Sequence, residues 1–306
     1  MSTLVTGGRG FVGRYIVEQL LAAGEPVVSY NRDYALDDRP GLTVVQGELF
    51  DLPRLVRALQ DHSVSRIIHT AGQSHPGVSI DLPLTTFAAN ADGTIAVYEA
   101  ARMTGVRRIV NFSSECALGN VEREFVDETV TPAPTTPYGV TKVAGELLGS
   151  VYNNLYGTEI VSLRVTEVYG PGLWMPSLLG DMIRAALAGE PVALAHGGQH
   201  PFQFVHAADV AAAAVLASTA TAAALQQSVY NVSGGVQVTV AELAGLLREA
   251  IPGARFDIGD GYLPDWDRQG RYDLSAAERE LGYKPQWTLK DGLADTIAWI
   301  RSTARS

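Results

Sequence analysis

Thr6-Gly7-Gly8-Arg9-Gly10-Phe11-Val12-Gly13 follows the apolar pair Leu4-Val5 and leads into apolar positions at Val12, Ile16, Leu20 and Leu21. That spacing predicts a helix over residues 11–23, ended by Gly24, and a second strand over 27–30. The glycines have separate uses. Gly7 permits a tight turn, Gly10 lets the backbone approach a pyrophosphate, and Gly13 lets helix and strand pack closely. Free N–H groups in the first helical turn face the phosphates. Strand, glycine turn, helix and strand in this order predict a dinucleotide site.

The alternation continues outward. Strands are expected at 42–46, 66–70, 108–112 and 159–164, with helices near 53–61, 90–104 and 138–156. This pattern predicts an α/β fold, a doubly wound Rossmann sheet with ligands at the C-terminal ends of its parallel strands. After Gly170-Pro171-Gly172 the regularity breaks. Helices are expected near 176–188 and 207–219, strands at 192–194 and 229–232, and a terminal amphipathic helix over 289–301. Thr239 and Glu242 make a capping box, and 264–271 reads as a loop. The expected division is a nucleotide-binding domain over 1–170 and a smaller α/β substrate-binding lobe over 171–306, with some chain returning to the first domain.

Tyr138-Gly139-Val140-Thr141-Lys142 places a tyrosine and a lysine on one face of a helix, one turn apart. A free phenol titrates near pH 10. A neighbouring ammonium, with the positive charge of an oxidised nicotinamide, is expected to lower that value and let the phenol exchange a hydroxyl proton near neutral pH.

The 306 residues, 46% hydrophobic, suffice for a large core, and the net charge of −10 argues against nucleic acid or an anionic membrane as partner. One cysteine, Cys116, excludes an internal disulfide and fits a reducing, cytoplasmic compartment. The six histidines do not combine with it into metal-ligand spacing, and no metal site is expected. No apolar run approaches the roughly 20 residues of a membrane span.

On these residues the chain resembles the extended short-chain dehydrogenase/reductases, in the branch of the nucleotide-sugar epimerases and dehydratases. Further landmarks are Asn90-Ala91-Asp92-Gly93-Thr94, Phe112-Ser113-Ser114, Phe204-Val205-His206 with Asp209, and Leu281-Gly282-Tyr283 with Pro285. The resemblance implies a catalytic set. Ser114 bonds the reacting oxygen, Tyr138 exchanges its proton, and Lys142 holds the nicotinamide ribose. It implies cofactor contacts from Gly7, Gly10, Phe11, Val12, Gly13, Asn31, Arg32, Glu48, Leu49, Thr70, Ala71, Gly72 and Asn90, besides Tyr138 and Lys142. It also implies a homodimer formed by the helices near 90 and 138, for which Ala144, Leu147, Leu148 and Val151 offer an apolar stripe.

Departures from the family pattern shape the expected chemistry. Asn31-Arg32 replaces the usual acidic residue at the second strand end, which leans the cofactor from NAD towards NADP, although Asn31 can still bond a hydroxyl. Glu115 and Cys116 stand where sugar dehydratases have an acid and a base, and a thiol is a poor base. Glu167 replaces an asparagine that contacts the sugar nucleotide, and Phe202 an arginine for the diphosphate. Both changes disfavour a nucleotide diphosphate, with Arg271, Arg268, Gln203 and His200 as possible replacements. His75 and Trp174 are further candidate substrate contacts. The expected function is an NAD(P)-dependent oxidation of a secondary hydroxyl on a sugar or sugar-like substrate, with epimerisation through a transient ketone favoured. A net dehydrogenase releasing reduced cofactor is the alternative, and a non-catalytic cofactor-binding regulator the third reading.

Overall fold

The apolar start of the chain forms β1 (Ser2–Thr6), buried along its whole length, as a strand covered on both faces must be. The computed structural model describes residues 1–303. The chain continues through α1 (Phe11–Ala22), β2 (Val27–Asn31), β3 (Leu42–Gln46), α2 (Leu52–Asp61) and β4 (Val64–His69). Next come α3 (Pro76–Asp81), α4 (Pro83–Phe87), a π-turn (Ala88–Asp92) and α5 (Gly93–Thr104). Then follow β5 (Arg108–Ser114), the short β6 (Phe125–Val126), α6 (Pro137–Tyr156) and β7 (Glu159–Val165). The later part comprises β8 (Glu167–Tyr169), α7 (Leu178–Ala188), β9 (Val192–Leu194), β10 (Pro201–Phe202), β11 (Phe204–His206), α8 (Ala207–Thr219) and β12 (Val229–Val232). It ends with β13 (Val238–Thr239), α9 (Val240–Ala250), β14 (Phe256–Ile258), β15 (Arg271–Tyr272), α10 (Ser275–Leu281) and α11 (Leu289–Thr303).

Seven strands form a parallel sheet in the order β3-β2-β1-β4-β5-β7-β12. The winding reverses between β1 and β4, which opens a crevice at their C-terminal ends. This is the doubly wound Rossmann fold expected from the alternation. The alanine-rich segment becomes α8, which packs beside α1. Ala211, Ala213, Ala214 and Ala217 are fully buried in the same core as Val5 and Ile68. Small side chains there let the two helices approach closely, so α8 and β12 rejoin the sheet although they lie beyond Gly172. A second core gathers α7, α9 and α11 around Met182, Ile183, Leu243, Leu247 and Ile297.

The helix expected from residue 90 begins differently. Helical structure starts at Pro83, and Asn90 lies inside the π-turn, a local widening often found at functional positions. α6 is fixed to the sheet by a buried ion pair. Arg164 on β7 donates to both carboxylate oxygens of Glu146 (2.9 and 2.8 Å), and the Ser113 hydroxyl donates to one of them (2.5 Å). Leu147 and Val151 of the expected dimer stripe are exposed at 62% and 47%. Leu148 instead packs on the core with Ile160 and Tyr98: one residue further along a helix turns a side chain by about 100°.

Candidate active site

The glycine turn, the loops after β2 through β5, the start of α6 and three segments of the later chain enclose one cleft of about 1370 Å³. At its cofactor end, the first turn of α1 has no side-chain cap on Gly10, so N–H groups stay available to an anion. A side-chain carbon at Gly13 would stand 2.1 Å from the Gly7 carbonyl oxygen. Gly13→Ala is therefore expected to displace the turn and weaken dinucleotide binding by about tenfold or more, since overpacking of this kind costs roughly 1–3 kcal/mol. Titration of the variant with NAD and NADP checks it, and unchanged affinity for both would refute the reading.

Gly7, Gly10, Phe11, Val12, Gly13, Asn31, Arg32, Glu48, Leu49, Thr70, Ala71 and Gly72 all line the cleft. The Asn31 side chain is already engaged: its oxygen accepts from the Arg9 N–H (3.0 Å), and its amide donates to the Ser29 carbonyl (3.1 Å) and hydroxyl (2.9 Å). It braces the glycine turn. Arg32 is open to solvent, 3.9 Å from the Asp33 carboxylate. Asn90 lies behind the cleft wall rather than on it. Its oxygen accepts from the Gln73 N–H (2.7 Å), and its amide donates to the Gln73 carbonyl (2.9 Å) and to Thr141 (3.1 Å). It thereby ties the loop after β4 to α6, a positioning role.

Ser114 ends β5, and Tyr138 and Lys142 stand one turn apart on α6; all three line the cleft. α6 approaches the loop after β5 closely, since a side-chain carbon at Gly139 would lie 2.2 Å from the Cys116 carbonyl oxygen. The Ser114 hydroxyl accepts from the Cys116 N–H (3.2 Å). Lys142 donates to the Phe112 carbonyl (2.8 Å), and its nitrogen lies 5.3 Å from the centre of the Tyr138 ring. The expected lowering of the phenol is not the state seen here. Burial pushes Tyr138 up, Cys116, Glu167 and Glu115 add to the rise, and only Ser114 opposes it. Burial also lowers Lys142 to about 8. Burial disfavours the charged form of both groups, which keeps the phenol protonated.

On the substrate side, His75, Glu115, Glu167, Trp174 and Phe202 line the cleft. His75 also caps α3, accepting from the Val78 N–H (3.3 Å), and Trp174 is 75% exposed at the mouth. Arg271 does not reach the cleft. Its guanidinium lies over the Phe125 ring, 4.8 Å from the centre, because β15 pairs with β6 and turns it outward. Arg268 lies over Tyr262 at 4.5 Å and is likewise off the wall. Gln203 spends its amide on the Gly270 carbonyl (2.9 Å) and the Tyr272 N–H (2.8 Å). Burial lowers the His200 pKa, which favours the neutral ring. Of the four expected anion ligands, Arg271 and Arg268 are therefore off the wall, while Gln203 and His200 line the cleft as neutral groups.

Two carboxyls dominate this end. Burial pushes Glu115 well above the carboxylate range, reinforced by Glu167 and Asp267, and burial takes Glu167 to about 7. Burial lifts Cys116 to about 12, so its thiol is no base at neutral pH. The sequence reading missed Thr166, Asp265, Trp266 and Asp267, which also line the cleft. An aromatic and two acids inside an otherwise polar loop were the one available signal.

The family described as the NAD dependent epimerase/dehydratase family matches residues 3–233. dTDP-glucose 4,6-dehydratase of Streptomyces antibioticus is 31% identical over 98% of this chain and 92% of its own length. UDP-glucose 4-epimerase of Mycolicibacterium smegmatis is 29% identical, with both chains covered in full. The structure of MoeE5 in complex with UDP-glucose and NAD superposes with a TM-score of 0.87 at 30% identity, covering 99% of this chain and 100% of that one.

Proposed function

The chain belongs to the NAD-dependent epimerase/dehydratase family, and on that premise we propose that it oxidises and re-reduces a secondary hydroxyl of a sugar carrying no nucleotide diphosphate. The carrying observation is that Ser114, Tyr138 and Lys142 share one cleft with the glycine turn, while Arg9, Arg32 and Lys142 are the only guanidinium or ammonium groups among its described lining residues. The MoeE5 complex holds UDP-glucose. Here the substrate end offers carboxyls and a phenyl ring where a diphosphate needs cations.

A nicotinamide dinucleotide held through its phosphates at the glycine turn would supply the hydride acceptor and donor. Tyr138 takes the hydroxyl proton as the ketone forms and returns it on reduction, with Ser114 bonding the same oxygen. Lys142 orients the nucleotide ribose and stabilises the ionised phenol. Loss of water from carbons adjacent to the ketone needs a base beside the acid. A thiol titrating at about 12 is not one, which supports epimerisation over dehydration. Net dehydrogenation, with release of reduced cofactor, uses the same residues and is the second reading.

The cofactor is NAD or NADP. Arg32 favours the 2′-phosphate, and Asp33 beside it weakens that charge. Exposed Leu147 and Val151 on α6, with Ile95 on α5, support a homodimer through these helices. A reducing, cytoplasmic location agrees with the single free Cys116.

The test starts with protein as purified, denatured to identify any released nucleotide by absorbance and mass. The loaded protein is then incubated with free hexoses and UDP-hexoses while epimers are followed by NMR and reduced cofactor by absorbance. Retained nucleotide with epimers from a free sugar and no net reduction is the expected result. Accumulating reduced cofactor would favour the dehydrogenase, and comparable turnover of UDP-hexoses would overturn the non-nucleotide substrate.

A further inference from the structure

The first turn of α6 is closed by two different segments of chain. Pro137, its first residue, has no N–H to satisfy. The Gly139 N–H donates to the Thr136 hydroxyl (3.1 Å), and Val140 begins the helical ladder by donating to the Thr136 carbonyl (3.1 Å). That leaves the N–H of Tyr138 itself, which donates to the Ser79 hydroxyl (3.0 Å), 59 positions away in the chain. Ser79 is fully buried, and its own proton goes to the Pro76 carbonyl (2.5 Å). With an N–H on one side and a carbonyl on the other, the hydroxyl has one orientation that serves both.

The other backbone group of Tyr138 is held as well. Its carbonyl accepts from the Thr141 hydroxyl (2.7 Å), which accepts in turn from the Asn90 amide (3.1 Å). Asn90 also grips Gln73, so both clamps on Tyr138 lead back to the segment between β4 and α5. Gln73, His75, Pro76, Gly77 and Ile80 of that segment line the cleft, whereas Ser79 does not. The Ser79 hydroxyl therefore faces away from any bound molecule and towards the backbone that aims the phenol. Proton transfer requires heavy atoms about 2.6–3.2 Å apart, and a misplacement of about 1 Å can cost about a hundredfold in rate.

We propose that Ser79 is a positioning residue, which holds the Tyr138 backbone against the cleft wall formed by α3 and thereby sets the reach of the phenol to the reacting oxygen. This rests on the reading of Tyr138 as the group that exchanges the hydroxyl proton. It adds a link between that group and the wall.

The test compares the unsubstituted protein with Ser79→Ala and Ser79→Cys, the second filling the space with a weaker acceptor. Turnover is measured on the free hexoses and UDP-hexoses of the screen. In parallel, 3-fluorotyrosine placed at position 138 of NAD-loaded protein reports the ring by fluorine NMR. Ser79→Ala is expected to lower kcat about tenfold or more, with KM and NAD affinity within about twofold, because misplacement acts on the transition state. Ser79→Cys should lie between the two and serves alone if the alanine variant does not fold. The fluorine resonance should shift or broaden in the same order. Unchanged kcat and an unchanged resonance would overturn the proposal. So would KM and NAD affinity weakening in step with the thermal midpoint, the mark of a residue that only supports the fold. If none of the sugars is turned over, the fluorine resonance decides alone. Full turnover in Tyr138→Phe would refute the catalytic reading, and the resonance would still report whether Ser79 holds Tyr138.

Discussion

Tyr138→Phe is expected to lower turnover by about a hundredfold to ten-thousandfold, the range over which a positioned acid–base group contributes. Thermal midpoint and NAD affinity should stay close to those of the unsubstituted protein. The phenol is buried at the start of α6 and its hydroxyl approaches Ser114, so removing its oxygen deletes the proton path and little packing. In the oxidation direction the unsubstituted enzyme should speed up as pH rises. Burial and the neighbouring carboxyls hold the phenol protonated, and oxidation needs the ionised form. Steady-state kinetics over pH, with substrates from the free-sugar screen, gives both results. Residual turnover within a few-fold in Tyr138→Phe would remove the residue from the catalytic set.

Arg164→Met should reduce the free energy of unfolding by about 3–5 kcal/mol, because it strands the Glu146 carboxylate in the interior. Both side chains are about 95% buried, and the pair joins β7 to the helix that carries Tyr138 and Lys142. The double substitution Glu146→Leu with Arg164→Met should recover most of the loss, since apolar residues of similar volume can replace such a pair. Urea unfolding of both variants measures this. A single-variant loss below about 1 kcal/mol, the level of an exposed pair, would show that water or rearrangement relieves the charge. Turnover of the double variant then tells whether the pair also holds the helix in register.

Much of the fold was legible because its causes are local. A glycine turn needs residues a few positions apart, and helix and strand periods repeat every three to four or two residues. Thus Gly7, Gly10 and Gly13, the strand–helix alternation and the one-turn spacing of Tyr138 and Lys142 could be read directly, as could the match to the family. The substrate end was less legible. Its wall combines Glu115, Thr166-Glu167, His200 to Gln203 and Asp265 to Asp267, segments brought together by the later small strands.

By itself the sequence determined the Rossmann frame, the epimerase/dehydratase family and the expectation that Ser114, Tyr138 and Lys142 act together. Only the tertiary structure decided the environment of those groups. Pairing of β15 with β6 turned Arg271 away from the cleft, one step of helix rotation sent Leu148 inward, and burial raised Tyr138 while lowering Lys142. The reason is the range of the forces. Backbone periodicity acts between neighbours in the chain, whereas desolvation and charge compensation depend on which distant segments fill the space around a group.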